Sequence, residues 1–242
     1  MAMKKRTKGN ITAPSLPGKD MLAEVNNNEA GNIYNSLFAK NRKVEYDNKD
    51  IALVNIRTNP DNQIFRAMDD DEDIRILAED IKRNGLMHNL VVFPEQEEGS
   101  AVYVLLSGER RFRALNYLQE KGDATWNIVN CNVVTTPLTE NEKKVLLYSA
   151  NLQVRGGFSD EAIRRQAIAE FITCLQREPY NMSREEALNA TKIVSTVNPR
   201  TIERDARIEE KLKGKLKTLL NDKFLTRSEC ETYLRFEADK QD

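Results

Sequence analysis

The run Leu105-Leu106-Ser107-Gly108-Glu109-Arg110-Arg111-Phe112-Arg113-Ala114-Leu115 constrains this chain more than any other. A short apolar strand breaks at Ser-Gly and restarts at once as an arginine-loaded helix, which predicts a strand–turn–helix unit. Backbone N–H groups of a first helical turn lack intrahelical partners and carry the positive end of the helix dipole, so such a turn receives anions. Glycine at 108 lets a ligand come close to the backbone. Arg110 and Arg113 project to nearly one side of the helix, Arg111 points elsewhere, and Glu109 is spaced to pair with Arg113. Two guanidinium forks beside a helix N-terminus suit a polyphosphate; the same spacing also suits a solvated face with surface ion pairs.

Periodicity orders the rest of the chain. Residues 1–48 are rich in Asn, Gly and Lys with one apolar patch between Ile33 and Phe38, and read as a mostly disordered arm with a basic start at Lys4, Lys5, Arg6 and Lys8. Ile51 to Ile56 is a strand candidate. The acidic run Asp69 to Asp73 opens a helix with Ile74, Leu77, Ala78 and Ile81 at helical spacing, and Gly85 stops it. Leu90–Phe93 and Val102–Leu106 read as strands around a polar turn, the arginine helix ends at Lys121-Gly122, Asn127–Val134 is another strand, and a helix opens at Thr139 and runs to Gln153. Past Gly156-Gly157 only helical patterns remain. The expected class is α+β, a small domain at 49–156 followed by an all-helical one at 157–242.

The helical half carries its own motif. Ser183 and Glu186 fit a capping box, and the helix behind them turns Ala187, Leu188, Ala190 and Val194 to a core. Asn198 caps the next helix with Pro199 in its first turn. That helix exposes Arg200, Thr201, Arg204 and Arg207, which with Ser183 describe the DNA-contacting end of a helix-turn-helix. Any packed pair of helices shows a similar pattern. With 37 basic and 38 acidic residues the net charge of −1 gives no global pull toward nucleic acid, so DNA binding has to come from a local module. Three scattered cysteines and a single histidine, His88, argue against a disulfide framework or a structural zinc site. No apolar run is long enough for a membrane span and the start is polar, so a cytoplasmic protein is expected.

The string Gly108 to Ala114, Gly-Glu-Arg-Arg-x-Arg-Ala, resembles the arginine box of the ParB family of DNA-partition proteins. Asn59-Pro60, Leu77 to Leu86 and Leu90-Val91-Val92 resemble the family's first box, and Asn151-Leu152-Gln153 its third, in the same order. The likeness extends from about Ile51 to Phe236. It implies a ParB/sulfiredoxin-like nucleotide-binding domain that takes CTP with Mg2+ through Ser107, Gly108, Glu109, Arg110, Arg111, Arg113, Gly85 and Asn151, the last also a metal ligand. It further implies a homodimer that closes as a clamp on double-stranded DNA at a palindromic site, and a ParA-type ATPase partner met by Lys5 or Arg6.

Two departures bear on chemistry. The first box has His88-Asn89 where the family has Gln-Pro, and the third has Ala150 in place of an acidic residue, with Val154 where an arginine belongs and Arg155 one later. Alanine supplies no oxygen to hold metal or position water, so CTP hydrolysis is expected to be slow or absent. Only Glu237 to Asp242 follow the last helix, where family members carry a dimerisation domain. Two other readings stay open: a nucleotide-independent helix-turn-helix repressor, and a kinase or sulfiredoxin-like catalyst, whose sulfiredoxin form needs a cysteine where Ser107 stands.

Overall fold

The structure, a computed structural model, describes residues 44–66, 70–97, 100–154, 158 and 160–236. Most of the expected arm, with Lys5 and Arg6, the residues Asp69, Arg155, Gly156 and Gly157, and the terminal Glu237 to Asp242 lie outside them.

Five strands form one mixed sheet in the order β1-β5-β3-β4-β2: β1 Tyr46–Ala52, β2 Ile56–Arg57, β3 Leu90–Glu97, β4 Ser100–Ser107 and β5 Ile128–Val134. β3 and β4 are an antiparallel pair, β3 runs parallel to β5, and β1 closes one edge antiparallel to β5. Side chains along β3 and β4 alternate between two apolar layers. Val92 and Leu105 enter one layer with Ile74, Ala78 and Ile81 of α2 (Asp71–Asn84) and Phe112, Leu115 and Leu118 of α3 (Glu109–Glu120). Phe93, Val104 and Leu106 enter the other, with Val145, Tyr148 and Leu152 of α4 (Glu140–Val154). A four-residue helix, α1 (Gln63–Arg66), sends the fully buried Phe65 edge-on against Tyr148, ring centres 5.9 Å apart.

The second layer continues without a break into the helical half: Ala167, Ile168 and Phe171 of α5 (Glu161–Gln176), Ala187 and Val194 of α6 (Arg184–Val194) and Ile202 of α7 (Pro199–Lys211) belong to it. Two short helices, α8 (Gly214–Asn221) and α9 (Arg227–Tyr233), close a small third cluster of Ile208, Leu212, Leu220 and Cys230. The α+β class is as expected.

One strand assignment is corrected. Ile51–Ile56 is not a continuous strand: β1 starts at Tyr46, inside the expected arm, and a 3-10 turn at Leu53–Asn55 separates it from β2. β1 is an edge strand whose Asn48 and Asp50 are exposed, so it presents little apolar alternation to find. The cysteines are small core residues, as expected, and burial pushes the Cys131 thiol up to about 12 and the Cys174 thiol to about 11, out of the reactive range.

α7 is locked to α5 by charge inside the core. Arg164 Nε donates to Asp205 Oδ2 at 2.7 Å, and the Asp205 side chain is fully buried. Removing one partner strands the other in low dielectric, which dominates over the worth of the pair itself. Asp205→Ala is expected to lower unfolding free energy by about 3–5 kcal/mol, read as a fall in the urea midpoint; a loss below about 1 kcal/mol would mean that water reaches Arg164.

Candidate functional site

The arginine-box turn is built as its sequence requires. β4 ends at Ser107, Gly108 adopts φ 104° and ψ 24°, and α3 begins at Glu109. That left-handed backbone favours glycine. Space enforces the same choice, because a Cβ at 108 would stand 2.8 Å from Leu90 Cδ2 and 3.3 Å from Arg111 Nη2. The Gly108 carbonyl accepts the Phe112 N–H at 2.8 Å, so the helix starts at the turn itself.

Arg111 does a different job from its neighbours. Its Nη1 donates to the carbonyls of His88 at 2.5 Å and Asn89 at 2.9 Å, stapling the loop between α2 and β3 to the arginine helix. The other end of that loop is fixed by Gly85, which caps α2 at φ 82° and donates its N–H to Ile81 O. Asn89 in turn donates to Asn130 Oδ1 at 2.8 Å, and Asn130 to Asp50 Oδ1 at 2.9 Å. Sequence reasoning missed this amide run, since nothing in three separated strand and loop segments signals that register brings them side by side. His88 is exposed, and its carbonyl is the part that Arg111 holds.

Arg110 and Arg113 turn toward the N-terminus of α2. Arg113 Nη2 donates to Asp71 Oδ1 at 3.0 Å, and Arg110 Nη2 lies 4.0 Å from Asp73 Oδ2. The acidic run thus answers two arginines as well as its own helix dipole, while Asp70 caps α2 by accepting from Glu72 N. Asp71 is 85% exposed, so its ion pair is worth at most about 1 kcal/mol. Glu109, spaced to pair with Arg113, is buried at the helix start.

Asn151 sits in a second cluster. Its Nδ2 donates to Leu147 O at 2.9 Å and to Asn62 Oδ1 at 3.4 Å, while Lys144 of the same helix pairs with Asp61 at 3.1 Å. These contacts tie α4 to the Asn59–Asn62 turn. The structure therefore gathers Gly85, Ser107, Gly108 and Arg111 around the 86–89 loop, Arg110 and Arg113 around the start of α2, and Asn151 at the Asn62 turn. Among the described residues no group of three or more His, Cys, Asp or Glu fits a metal ion, and no helix is long and apolar enough to cross a membrane.

The helix pair of the helical half is α6 and α7, joined by the four residues Ser195 to Asn198. Ser183 spends its hydroxyl in the expected capping box, with Glu186 accepting from both its N–H and its Oγ. On α7, Arg200, Arg204 and Arg207 are exposed and Thr201 is half-buried. Glu203 between them pairs with Lys192 of α6, whose hydrogen bond and charge hold its carboxyl below the usual range. On the other flank Arg204 and Arg207 both reach Glu231 of α9.

Residues 37–142 match the sequence model of the ParB N-terminal domain family. Similar solved structures include a C-terminally truncated chromosome-partitioning protein ParB from Caulobacter crescentus complexed with CTP-γ-S, at 19% identity over 79% of this chain and 94% of that one, with a TM-score of 0.35. A Pnob8-like ParB-N domain matches at 11% identity over 83% and 96% with a TM-score of 0.48. A pNOB8-like ParB N-domain matches at 12% identity over 82% and 87% with a TM-score of 0.39. No curated protein matches the chain.

The geometry at Gly108 gives a direct test. Gly108→Ala forces both a left-handed alanine and a displacement of Leu90, and is expected to cost about 1–3 kcal/mol of unfolding free energy, measured by urea titration. A neutral result would show that the turn relaxes to another conformation.

Proposed function

We propose, for a chain that belongs to the ParB family by its N-terminal domain, that it is a DNA-partition protein that binds CTP at the Gly108 turn and double-stranded DNA through α6 and α7. The observation that supports the nucleotide reading is the turn itself: a left-handed glycine at the mouth of an arginine-bearing helix, with no room for a Cβ, inside the matched domain. The first-turn N–H groups of α3 and the Arg110 and Arg113 guanidinium groups would meet the phosphates. Arg111 acts by holding the 86–89 loop, which would flank the base, together with Ser107 and Gly85.

Mg2+ finds a limited donor set here. Asn151 offers one amide oxygen and Ala150 offers none, so the ion would be held chiefly by phosphate and water oxygens, as is usual for Mg2+. When bound it would spread phosphate charge. The chain's own part is to order the turn and exclude movement of the loop.

The helix pair supports the DNA-binding reading. A four-residue turn, a capped leading helix and an arginine-rich exposed stripe on α7 fit entry into the major groove, and two copies on one duplex fit a palindromic site. A nucleotide that binds only a closed dimer shifts the population toward closure by its differential affinity. The units proposed are residues 49–156 for nucleotide and 157–242 for DNA, preceded by the arm, whose Lys5 and Arg6 would meet a ParA-type ATPase.

Arg110→Ala is expected to abolish CTP binding by calorimetry while leaving the far-UV circular dichroism unchanged, because Arg110 is exposed and fills no core; unchanged affinity ends the nucleotide reading. Phosphate release from CTP, assayed with Mg2+ and bound DNA, is expected at background and to rise in Ala150→Glu, since a carboxylate there could position water. Brisk turnover by the native chain would assign that role to another residue.

A further inference from the structure

The last helix presents one carboxylate to two of the arginines assigned to DNA. Glu231 Oε1 lies 2.7 Å from Arg204 Nε in an ion pair and accepts from Arg207 Nη2 at 3.2 Å. All three side chains stay at the surface, with Arg204 44% and Arg207 50% exposed. As a bare surface ion pair this would count for little.

What sets it apart is how firmly the helix that carries Glu231 is placed by other contacts. Cys230, the preceding residue, is fully buried against Ile208, Leu212 and Leu220. Thr226 and Glu229 close a capping box at the start of α9. Arg227, one turn before Glu231 and on the same face, bonds Glu161 at 2.6 Å and lies 3.6 Å from the buried Asp205. Packing and the buried network therefore fix the backbone of α9 at Glu231, beside Arg204 and Arg207 of α7. The opposite flank of α7 has the reverse arrangement, with Glu203 on the helix and its cation, Lys192, on α6.

The chemistry of the contact follows from which nitrogen is used. A guanidinium whose Nε edge lies against a carboxylate, as that of Arg204 does, keeps its terminal edge, with parallel N–H donors, for a second acceptor pair such as O6 and N7 of guanine. Fixing the side chain beforehand removes rotamer freedom that would otherwise be lost on binding. The same negative charge repels phosphate, so it weakens attachment to DNA of any sequence.

We propose that Glu231 is a positioning residue for base readout, orienting Arg204 toward a base edge and trading non-specific affinity for sequence specificity. This rests on the reading of α6 and α7 as a DNA-binding pair. A carboxylate acting as a simple shield would lower binding to every sequence alike; a positioning carboxylate moves specific and non-specific binding in opposite directions.

The test uses the full chain and selection of bound sequences from random duplex DNA, for the native protein, Glu231→Gln, Glu231→Asp and Arg204→Ala, followed by titration of the selected site and of a scrambled duplex. Glu231→Gln is expected to lose on the order of tenfold in affinity for the selected site and to gain affinity for the scrambled duplex. It should relax preference at the same base pair that Arg204→Ala relaxes, and add nothing there on the Arg204→Ala background. Glu231→Asp should recover part of the loss. An equal gain on both duplexes, or no change on either, overturns the proposal. If the native protein enriches no sequence, the DNA reading fails and takes this inference with it; an enriched site whose base preference is untouched by Glu231→Gln sinks the inference alone.

Discussion

The β3–β4 hairpin is buried on both faces, and the rest of the structure depends on that. Leu105 faces α2 and α3 while Val104 and Leu106 face α4 and the helical half, so a single strand anchors both apolar layers. A strand clamped from two sides cannot slip register without turning both sets of side chains to the wrong layer. Its end point, Ser107, is therefore fixed, and with it the position of Gly108 and the first turn of α3. The Gly108 turn is held because the strand beneath it has no freedom, a firmer support for a site than a loop would give.

Charge then decides which arginines are available for what. Arg111 reaches two backbone carbonyls of the 86–89 loop, whereas Arg110 and Arg113 hold exposed carboxylates of α2. In the helical half the same sorting recurs. Arg164 is sealed against a fully buried aspartate and serves the fold, while Arg204 and Arg207 share one half-exposed glutamate at the surface. Burial, not residue type, separates the structural arginines from those that can change partners.

How much of this was legible in the sequence depended on the range of the interaction. The Gly108 turn, the Gly85 stop, the Ser183 capping box and the Asn198-Pro199 helix start each follow from a few neighbouring residues, and each stands where local rules put it. β1 escaped because its polar face is open and its pairing with β5 joins residues some eighty apart, such as Asp50 with Asn130. The partners of the arginines escaped for a like reason. Asp71 lies 42 positions from Arg113, and Glu231 lies 24 from Arg207 on a helix of seven residues. Spacing along one helix suggested Glu109 for Arg113; it could not show that Glu109 is buried or that Asp71 of α2 also reaches Arg113.

α4 is where the two halves meet. Its Tyr148 packs against Phe65 beyond the Asn62 turn, its Asn151 bonds Asn62, and its Leu152 side chain is fully buried in the layer shared with Phe171 and Ile202. The Leu152 carbonyl, moreover, accepts from the Thr196 N–H at 3.4 Å and the Ser195 hydroxyl at 3.5 Å, both in the turn between α6 and α7. A displacement of α4 therefore cannot leave that turn where it is, because the same residue fills the core on one side and holds the turn on the other. Close-packed layers of this kind move between discrete arrangements and do not deform smoothly. The residues that resemble the third box thus stand on a helix that contacts both the Asn59–Asn62 turn of the first half and the interhelical turn of the second, which gives that segment a physical reason to matter even with alanine at position 150.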